Sequence, residues 1–514
     1  MPTPNPDALI AELQTRHLLH QCTDLEGFRA HMARPRRLYN GFDPTADSLT
    51  IGNLVPIMLL RRFRAHGHTP VVLMGGATGR IGDPSGKDAE RTLMTDETVE
   101  GNIAAQKSIF QQLLGDDVEI VDNYDWFKDI SFLGALRDIG KHFSVNEMIR
   151  RDAVKNRLER EGHGISFTEF SYMLLQAYDF LYLFEKSDIT VQTAGADQWG
   201  NIVSGVDLIR RVMPLREVSR LLKVIETDPV SNQNQTLQEL LFTIAQASIF
   251  PIEKLLEEEE SITPDMSNVL LKHLNESVAH KIFTAIQKNC PHLNAEYPRA
   301  FGYTAPLLTK ADGGKFGKTE SGAIWLSHIR PSGQPGTSPY AYYQFWLNTA
   351  DADVQRYLLI FTDLEVDAIR ELCTTHEQQP HLREAQRTLA REATTLLHGR
   401  EAMDRAEAAA GALFSGEVAH LDLDTINEVF SEVPSSEHPI ASLAGGGVPL
   451  VDILAETTLC KSKREAREFL TNGAITINGR KAAPEDTLTP DHLLHASVAI
   501  LRRGKKAWHV TRWR

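Results

Sequence analysis

The stretch Leu38 to Met58, "LYNGFDPTADSLTIGNLVPIM", decides how the rest of the chain is read. Its apolar start reads as a strand ending at Phe42, Asp43-Pro44-Thr45 turns the chain, and an apolar helix begins around Gly52. A helix start leaves N–H groups free to face the strand end, an arrangement that attracts phosphate. Gly52 adds bare backbone against which a flat base can lie. Any α/β domain contains a strand, a turn and a capped helix, so this stretch alone fixes a fold class and no chemistry.

The same texture continues on either side. "TPVVLMGG" (69–76) and "DITVQTAG" (188–195) are short apolar runs that end in glycine, and they alternate with helical patterns such as "LVPIMLLRRFRAHG" (54–67). From Tyr39 to about Arg211 this predicts an α/β, Rossmann-like catalytic domain around a parallel sheet, with ligands at the carboxyl ends of the strands. The domain is expected to span 1–337, interrupted by a helical insertion at about 212–302 whose run Glu257 to Glu260 reads as a solvated face. Residues 338–418 read as a second helical domain and the Pro/Ser/Gly-rich 419–447 as a linker. A small α+β domain follows at 448–514, with strands turned at Asn472-Gly473 and Asn478-Gly479.

Composition narrows the classes. Hydrophobic residues make up 42% and charged residues 24% of the 514, close to a globular average, and no run approaches eighteen apolar residues. With no signal-like start, the expected location is the cytoplasm and no membrane partner is expected. The four cysteines show no CxxC spacing, and His66 and His68 have no acid or cysteine at ligand spacing, so no protein metal site is expected; the helix C-terminus is the natural partner of those imidazoles. The net charge of -14 argues against nucleic acid, but "ILRRGKKAWHVTRWR" (500–514) carries six basic residues and no carboxylate. An acidic body with a basic tail suits an enzyme that handles RNA.

Two further motifs carry chemistry. "KADGGKFGKT" (310–319) places Lys315 and Lys318 three apart in a glycine-rich loop, suited to clamping a polyphosphate through charge-assisted bonds. "GDPSGK" (82–87) imitates a P-loop, but the spacing is one residue short and Asp88 stands where a magnesium-binding hydroxyl belongs. A P-loop NTPase is therefore rejected.

Taken together, "GFDPTADSL", "GGATGRIGDPSGK", "GKHFSVNEMI", "GISFTEFSYMLLQAYDF", "GADQWGNI", "KADGGKFGKT" and "TSPYAYYQFW" resemble the bacterial tyrosyl-tRNA synthetases, a family of class I aminoacyl-tRNA synthetases. The end of the chain, "SKREAREFLTNGAITINGRK" with "LRRGKK", is similar to an S4-type RNA-binding module. The resemblance implies ATP-dependent formation of tyrosyl-adenylate, ATP arriving with Mg2+, and transfer of tyrosine to the 3′ end of tRNA(Tyr) by a homodimer. It implies that Tyr39 and Asp179 bind the substrate phenol, a pairing that suits a group able both to donate and to accept. Rejection of phenylalanine follows, as the general account of this enzyme class has it.

By the same resemblance Asp83, Tyr172 and Gln176 hold the substrate ammonium, and Tyr172, Gln176 and Asp179 share one helix face at i, i+4, i+7. Gln192, Asp197 and Gln198 correspond to residues near the ribose and the reacting carboxylate, with Asp43, Gly52 and Gly195 beside the nucleotide. Lys87 and Arg91 match a loop that reaches pyrophosphate, while Thr45, Lys315, Lys318 and Thr319 hold the phosphates. Lys461, Lys463, Arg464, Arg467, Arg502, Arg503, Lys505 and Lys506 are expected to contact tRNA.

The chain departs from the family at its signature, commonly HIGH, which here reads Thr50-Ile51-Gly52-Asn53. Adenylation requires positioning and charge stabilisation more than proton transfer, so a donor can replace a donor. The expectation is a working variant in which Asn53 and Thr50 supply N–H and O–H groups. Two rival readings are a synthetase-derived RNA-binding protein without catalysis and a small-molecule nucleotidyltransferase. The combination of a phenol pocket with an S4-like tail argues against the second.

Overall fold

The computed structural model describes residues 2–82, 94–151, 154–155, 158, 165–227, 283–284, 299–314, 316–319, 322–431, 433–504 and 507–514. Two units are distinguished, 1–316 and 317–514.

The first unit is built on six strands, β1 (Gln21–Cys22), β2 (Arg37–Phe42), β3 (Thr69–Met74), β4 (Glu119–Asp122), β5 (Ile189–Gly195) and β6 (Phe301–Ala305), in the order β1-β6-β5-β2-β3-β4. All neighbours run parallel except β1, which lies antiparallel on β6. The chain leaves β2 outward through β3 and β4, then returns to the other side of β2 with β5. The carboxyl ends of β2 and β5 therefore flank a topological switch point, where such sheets open a crevice.

Sequence explains these elements directly. The run "PVVLM" of β3 is buried on both faces, as a central parallel strand requires. Leu54–Ala65 buries Leu54, Val55, Ile57, Met58, Leu59, Leu60 and Phe63, and it tolerates Pro56 because the first turn needs no N–H there. Phe167–Ser187 starts at Ser166, whose hydroxyl accepts from the Glu169 N–H at 3.2 Å, and stops at Asp188 in a left-handed conformation. Its Ala177, Phe180, Leu181 and Leu183 pack with Tyr39, Val71, Leu73 and Ile189 of the sheet and Leu208, Ile209 and Val212 of the next helix.

That next helix runs from Trp199 to Thr227 without a break at 211/212, carrying Pro214 inside it. The expected start of the insertion is thus helix interior, and its expected end overlaps Phe301 and Gly302 of β6. Most of the insertion, including Glu257 to Glu260, lies outside the described residues.

The histidines at the end of Leu54–Ala65 differ from expectation. His66 Nε2 lies 2.7 Å from Glu12, while His68 is fully buried and held neutral, with burial lowering its pKa to about 4. A neutral imidazole whose Nδ1 accepts the Arg36 N–H at 3.3 Å cannot serve as the cation of a helix end.

In the second unit, Ser338 caps the helix Pro339–Leu347, which buries Tyr342, Tyr343 and Trp346. Helices Asp351–Phe361, Val366–Gln378, Glu384–His398 and Arg400–Ser415 follow. The stretch expected to be a linker is structured: it holds the helix Leu423–Val429 and a strand, Ser435–His438. That strand runs parallel to Ala507–Trp513 at the edge of the five-stranded C-terminal sheet. Four polar residues at a sheet edge carry no apolar alternation, so composition reads them as loop.

Asn478-Gly479 makes the expected hairpin turn between Ile475–Ile477 and Arg480–Lys481, both residues at positive φ. Asn472-Gly473 instead ends the helix Lys463–Thr471, where a glycine at φ +63° serves as its C-terminal stop. Both uses require the same left-handed backbone, which is why the dipeptide alone does not separate them.

Candidate active site and RNA-binding surface

At the switch point lies a cavity of about 340 Å³. Strand β2 contributes Tyr39, Asn40, Gly41 and Phe42; the turn after it contributes Asp43 and Thr45, and the following helix start contributes Asn53 and Pro56. Across from them stand Gln192, Thr193, Ala194, Gly195 and Gln198 from β5 and its end, with Tyr172, Gln176 and Asp179 along one helix face. The structure thus gathers around one cavity most of the residues the sequence singled out in this unit.

At its floor Asp179 is 2% exposed and accepts two hydrogen bonds, from Asn123 Nδ2 at 3.0 Å and Trp126 Nε1 at 2.9 Å. Burial pushes its pKa up to about 8, with the Asp43 and Asp122 charges adding to the rise and the two donors opposing it. Among the described residues the buried Tyr39 hydroxyl has no hydrogen-bond partner, and its pKa is raised well above the ordinary value by burial and then by Asp179. Gln192 Oε1 is likewise buried without a partner among the described residues. An unpaired buried polar atom is costly, so a cavity that keeps the Tyr39 hydroxyl near the Asp179 carboxyl is shaped for a polar guest.

The sequence reading missed Asn123 and Trp126. Asn123 is wholly buried and ties three elements together: its Oδ1 accepts from the Ala77 N–H at 2.6 Å, and its Nδ2 donates to both Thr78 and Asp179. Its position immediately after β4, at a strand's carboxyl end, is the only signal the sequence offered.

Above the floor, Tyr172 donates to Asp43 Oδ2 at 2.9 Å and Thr78 donates to Asp43 Oδ1 at 2.9 Å. Asp43 is therefore bonded to the helix carrying Tyr172 and Gln176, on the side expected to hold an ammonium rather than among nucleotide ligands alone. Asn201 Nδ2 donates to Gln176 Oε1 at 2.8 Å and to Gln198 Oε1 at 3.0 Å, joining that helix to the end of β5. Asp197 is exposed, with its carboxylate over Gly195, where a methyl group would come within 2.7 Å of Oδ1.

The loop 75–79 is glycine-rich because acids close over it. A Cβ on Gly75 would lie 2.2 Å from Asp43 Oδ1, and one on Gly76 would lie 2.1 Å from Asp122 Oδ1, whose carboxylate accepts the Gly76 N–H. The turn 43–46 is pinned from behind by Asn102 and Gln106, which donate to the carbonyls of Pro44 at 2.9 Å and Ala46 at 2.7 Å.

In the variant signature, Ile51–Asn53 is a short 3-10 turn that leads into the helix. The Thr50 N–H and hydroxyl each donate to Asn53 Oδ1 at 3.0 Å. Gly52 is exposed, with only Thr50 Oγ1 near its missing side chain, at 3.7 Å.

Asp83, Lys87, Arg91, Lys315, Lys505 and Lys506 lie outside the described residues. Lys318–Thr319 pairs antiparallel with Gly322–Ala323 in the second unit. Among the described residues, no group of three or more His, Cys, Asp or Glu is placed to hold a metal ion, and no helix is long and apolar enough to cross a membrane.

In the C-terminal sheet region, Lys461, Lys463, Arg464 and Arg467 are exposed along the helix Lys463–Thr471 and the residues before it, Lys463 pairing with Asp452 at 2.8 Å. Arg480 and Lys481, exposed on the adjacent hairpin, were not singled out by the sequence reading. Arg502 departs from its expected role. It is 9% exposed, with its guanidinium over the Trp508 ring at 4.6 Å, so it serves packing. Arg503 lies over Phe469 and donates to the Leu459 carbonyl at 2.6 Å.

The family described as tRNA synthetases class I (W and Y) matches residues 31–241 and 277–415, and the Tyrosine--tRNA ligase SYY-like C-terminal domain matches 425–511. The chain is 42% identical to a tyrosine–tRNA ligase of Bacillus caldotenax, over 98% of this chain and 99% of the relative. It is 39% identical to one of Aliivibrio fischeri, with the same coverage of each. Among solved structures, it is similar to a C-terminally truncated mitochondrial tyrosyl-tRNA synthetase of Aspergillus nidulans, with a TM-score of 0.55 and 26% identity over 79% of this chain and 94% of that one. The corresponding Coccidioides posadasii protein gives 0.53 and 28%, over 78% and 91%. With the family's profile matching well over half its length, and the C-terminal domain of the tyrosine branch following in order, the chain belongs to the tyrosyl-tRNA synthetase family of class I aminoacyl-tRNA synthetases.

Proposed function

We propose that the protein is a tyrosine–tRNA ligase. It activates tyrosine with ATP and then charges tRNA(Tyr). The observation that carries this reading is the cavity floor, where buried Asp179 offers an acceptor and the unpartnered Tyr39 hydroxyl a donor to one phenol. Phenylalanine would leave the buried Tyr39 hydroxyl unpaired and forgo the bond to Asp179, a penalty large enough for strong selection. Asp43, Tyr172 and Gln176, with Asp83, receive the ammonium, where the negative charge of Asp43 has its counterpart.

The tyrosine carboxylate then attacks the α-phosphorus of ATP, which arrives as its magnesium complex. An oxygen–phosphorus bond forms, the bond to the β-phosphate bridging oxygen breaks, and pyrophosphate leaves. No protein base is needed, because the nucleophile is already an anion. The chain's task is orientation and charge stabilisation, by Thr45 and Asn53 at the helix start and, by their sequence motifs, by Lys87, Arg91, Lys315, Lys318 and Thr319. In the second step a hydroxyl at the 3′ end of the tRNA attacks the acyl carbon and AMP leaves. Lys461, Lys463, Arg464 and Arg467, with Arg480 and Lys481, supply the positive face for the RNA. This reading places the enzyme in the cytoplasm with its tRNA.

The helix Phe132–Asp138 buries none of its residues and leaves Phe132 68% and Leu133 77% exposed. A homodimer that covers this face accounts for it. Leu133→Glu should then shift the protein to monomer in sedimentation.

Tyrosine-dependent exchange of labelled pyrophosphate into ATP tests the function, with phenylalanine and tryptophan as controls. Exchange with tyrosine alone supports it. RNA binding by folded protein without any exchange favours the non-catalytic reading that the altered signature raises.

A further inference from the structure

We infer that Thr50 is a positioning residue for Asn53 rather than a phosphate ligand. This rests on the ATP-dependent reading above and concerns the signature Thr50-Ile51-Gly52-Asn53, where both histidines of the family motif are replaced.

An amide side chain presents either its oxygen or its nitrogen to a surface, and neighbours decide which. Here the Thr50 backbone N–H points at the Asn53 side chain at 3.0 Å. A backbone N–H can only donate, so the atom it meets must be Oδ1. The Thr50 hydroxyl meets the same oxygen at 3.0 Å and must donate as well, since Oδ1 has no hydrogen to give. Turning the amide over would set Nδ2 against that backbone N–H and break its bond.

Two consequences follow. The Asn53 –NH2 group is the end left for the cavity that Asn53 lines, so the residue acts there as a donor of fixed orientation. The single hydrogen of the Thr50 hydroxyl is committed, and Thr50 is not among the residues that line the cavity. It has no proton to offer a phosphate oxygen. The expectation that Thr50 donates directly to the nucleotide is thereby replaced: the two changed positions of the signature act as one unit, the backbone N–H of Thr50 setting the direction of the amide and its hydroxyl holding the amide there. Preorganised donors of this kind stabilise a transition state because they need not reorient as charge develops.

A double-mutant cycle on the full-length protein tests this through pyrophosphate exchange at varied ATP. Thr50→Val keeps the shape and removes the hydroxyl; it should lower kcat/KM for ATP by about five- to tenfold and leave the KM for tyrosine unchanged. Thr50→Ser keeps the donor and should stay within about twofold of the parent. Asn53→Ala should cost more, and adding Thr50→Val to it should change little further, within about twofold. Effects that multiply in the double variant would show Thr50 touching the nucleotide itself and overturn the inference, as would a Thr50→Val variant equal to the parent. A parent chain without tyrosine-dependent exchange defeats the reading of function and this role with it; a parent that exchanges while the variants multiply defeats the role alone.

Discussion

The proposed phenol site shows what a single side chain has to satisfy. Asp179 is kept in place by two donors the sequence did not announce, and Trp126 is the simpler of them to test because its ring also stacks on Tyr182 at 4.5 Å. Trp126→Phe retains the stack and removes one hydrogen bond to a buried carboxyl, a loss of about 1.5–3 kcal/mol. Its kcat/KM for tyrosine should fall by about tenfold or more in pyrophosphate exchange, with the KM for ATP unchanged. Glu12 offers a test of stability. Its carboxylate bonds to His66 and Arg16 and is held at about 2, below its usual 4.5, His66 contributing most. A lowered pKa means stabilisation that is present above the unfolded value and lost as pH falls from about 4.5 through about 2. Glu12→Gln should therefore lose about 2 kcal/mol at pH 7, and the gap from the parent in urea midpoints should narrow at pH 3. Legibility at this scale followed the type of contact. Tyr39, Asp179 and Gln192 were named through the resemblance, and all three line the cavity, whereas Asn123 and Trp126 serve another side chain, and a chain of two contacts leaves no mark in local sequence.

Among the elements, loop 75–79 and the turn 50–53 are both glycine-bearing, for opposite reasons. Gly76 has an acid pressed against its missing side chain, so Gly76→Ala must displace Asp122. Tyrosine-dependent exchange should drop by about a hundredfold or more, and the thermal midpoint should fall with it. Gly52 faces open space apart from Thr50 Oγ1. Gly52→Ala should leave the midpoint nearly unchanged yet raise the KM for ATP by about tenfold, if a base lies on that bare backbone as the opening stretch implies. Equal kinetics for parent and Gly52→Ala would remove the base from that position. Strands β2, β3 and β5 were legible as apolar runs because both their faces are buried. The edge strand Ser435–His438 was not, because it holds no apolar residue; Ser436 and His438 meet its neighbour through His509 at 3.1 Å and a stack on Trp513 at 4.7 Å, contacts that leave no apolar period.

At the scale of the molecule, the second unit is more continuous than its composition suggests. Ala409 and Ala412 of Arg400–Ser415 form one cluster with Val418, Leu421, Ile426 and Phe430, and with Val498, Ile500 and Val510 of the C-terminal sheet. Deleting 448–514 therefore does more than remove an RNA-binding module. It strips the cover from that cluster and the pairing partner from Ser435–His438. Charging of tRNA should be lost, and the remaining chain should bind a hydrophobic dye that the parent does not; a truncated chain as dye-silent as the parent would contradict the shared core. The order of the modules was legible because each ends in a motif or a turn. Their joint was not, since a core assembled from residues about ninety positions apart has no local periodicity to report it. The shared core also sets the terms for building chimaeras. Exchanging only 448–514 with a relative would press together two halves of an interior whose side chains arose separately, and mismatched volumes there are felt at the level of a single methylene. A graft that respects the packing carries both sides of that cluster, from Arg400–Ser415 through the C-terminal sheet, as one block.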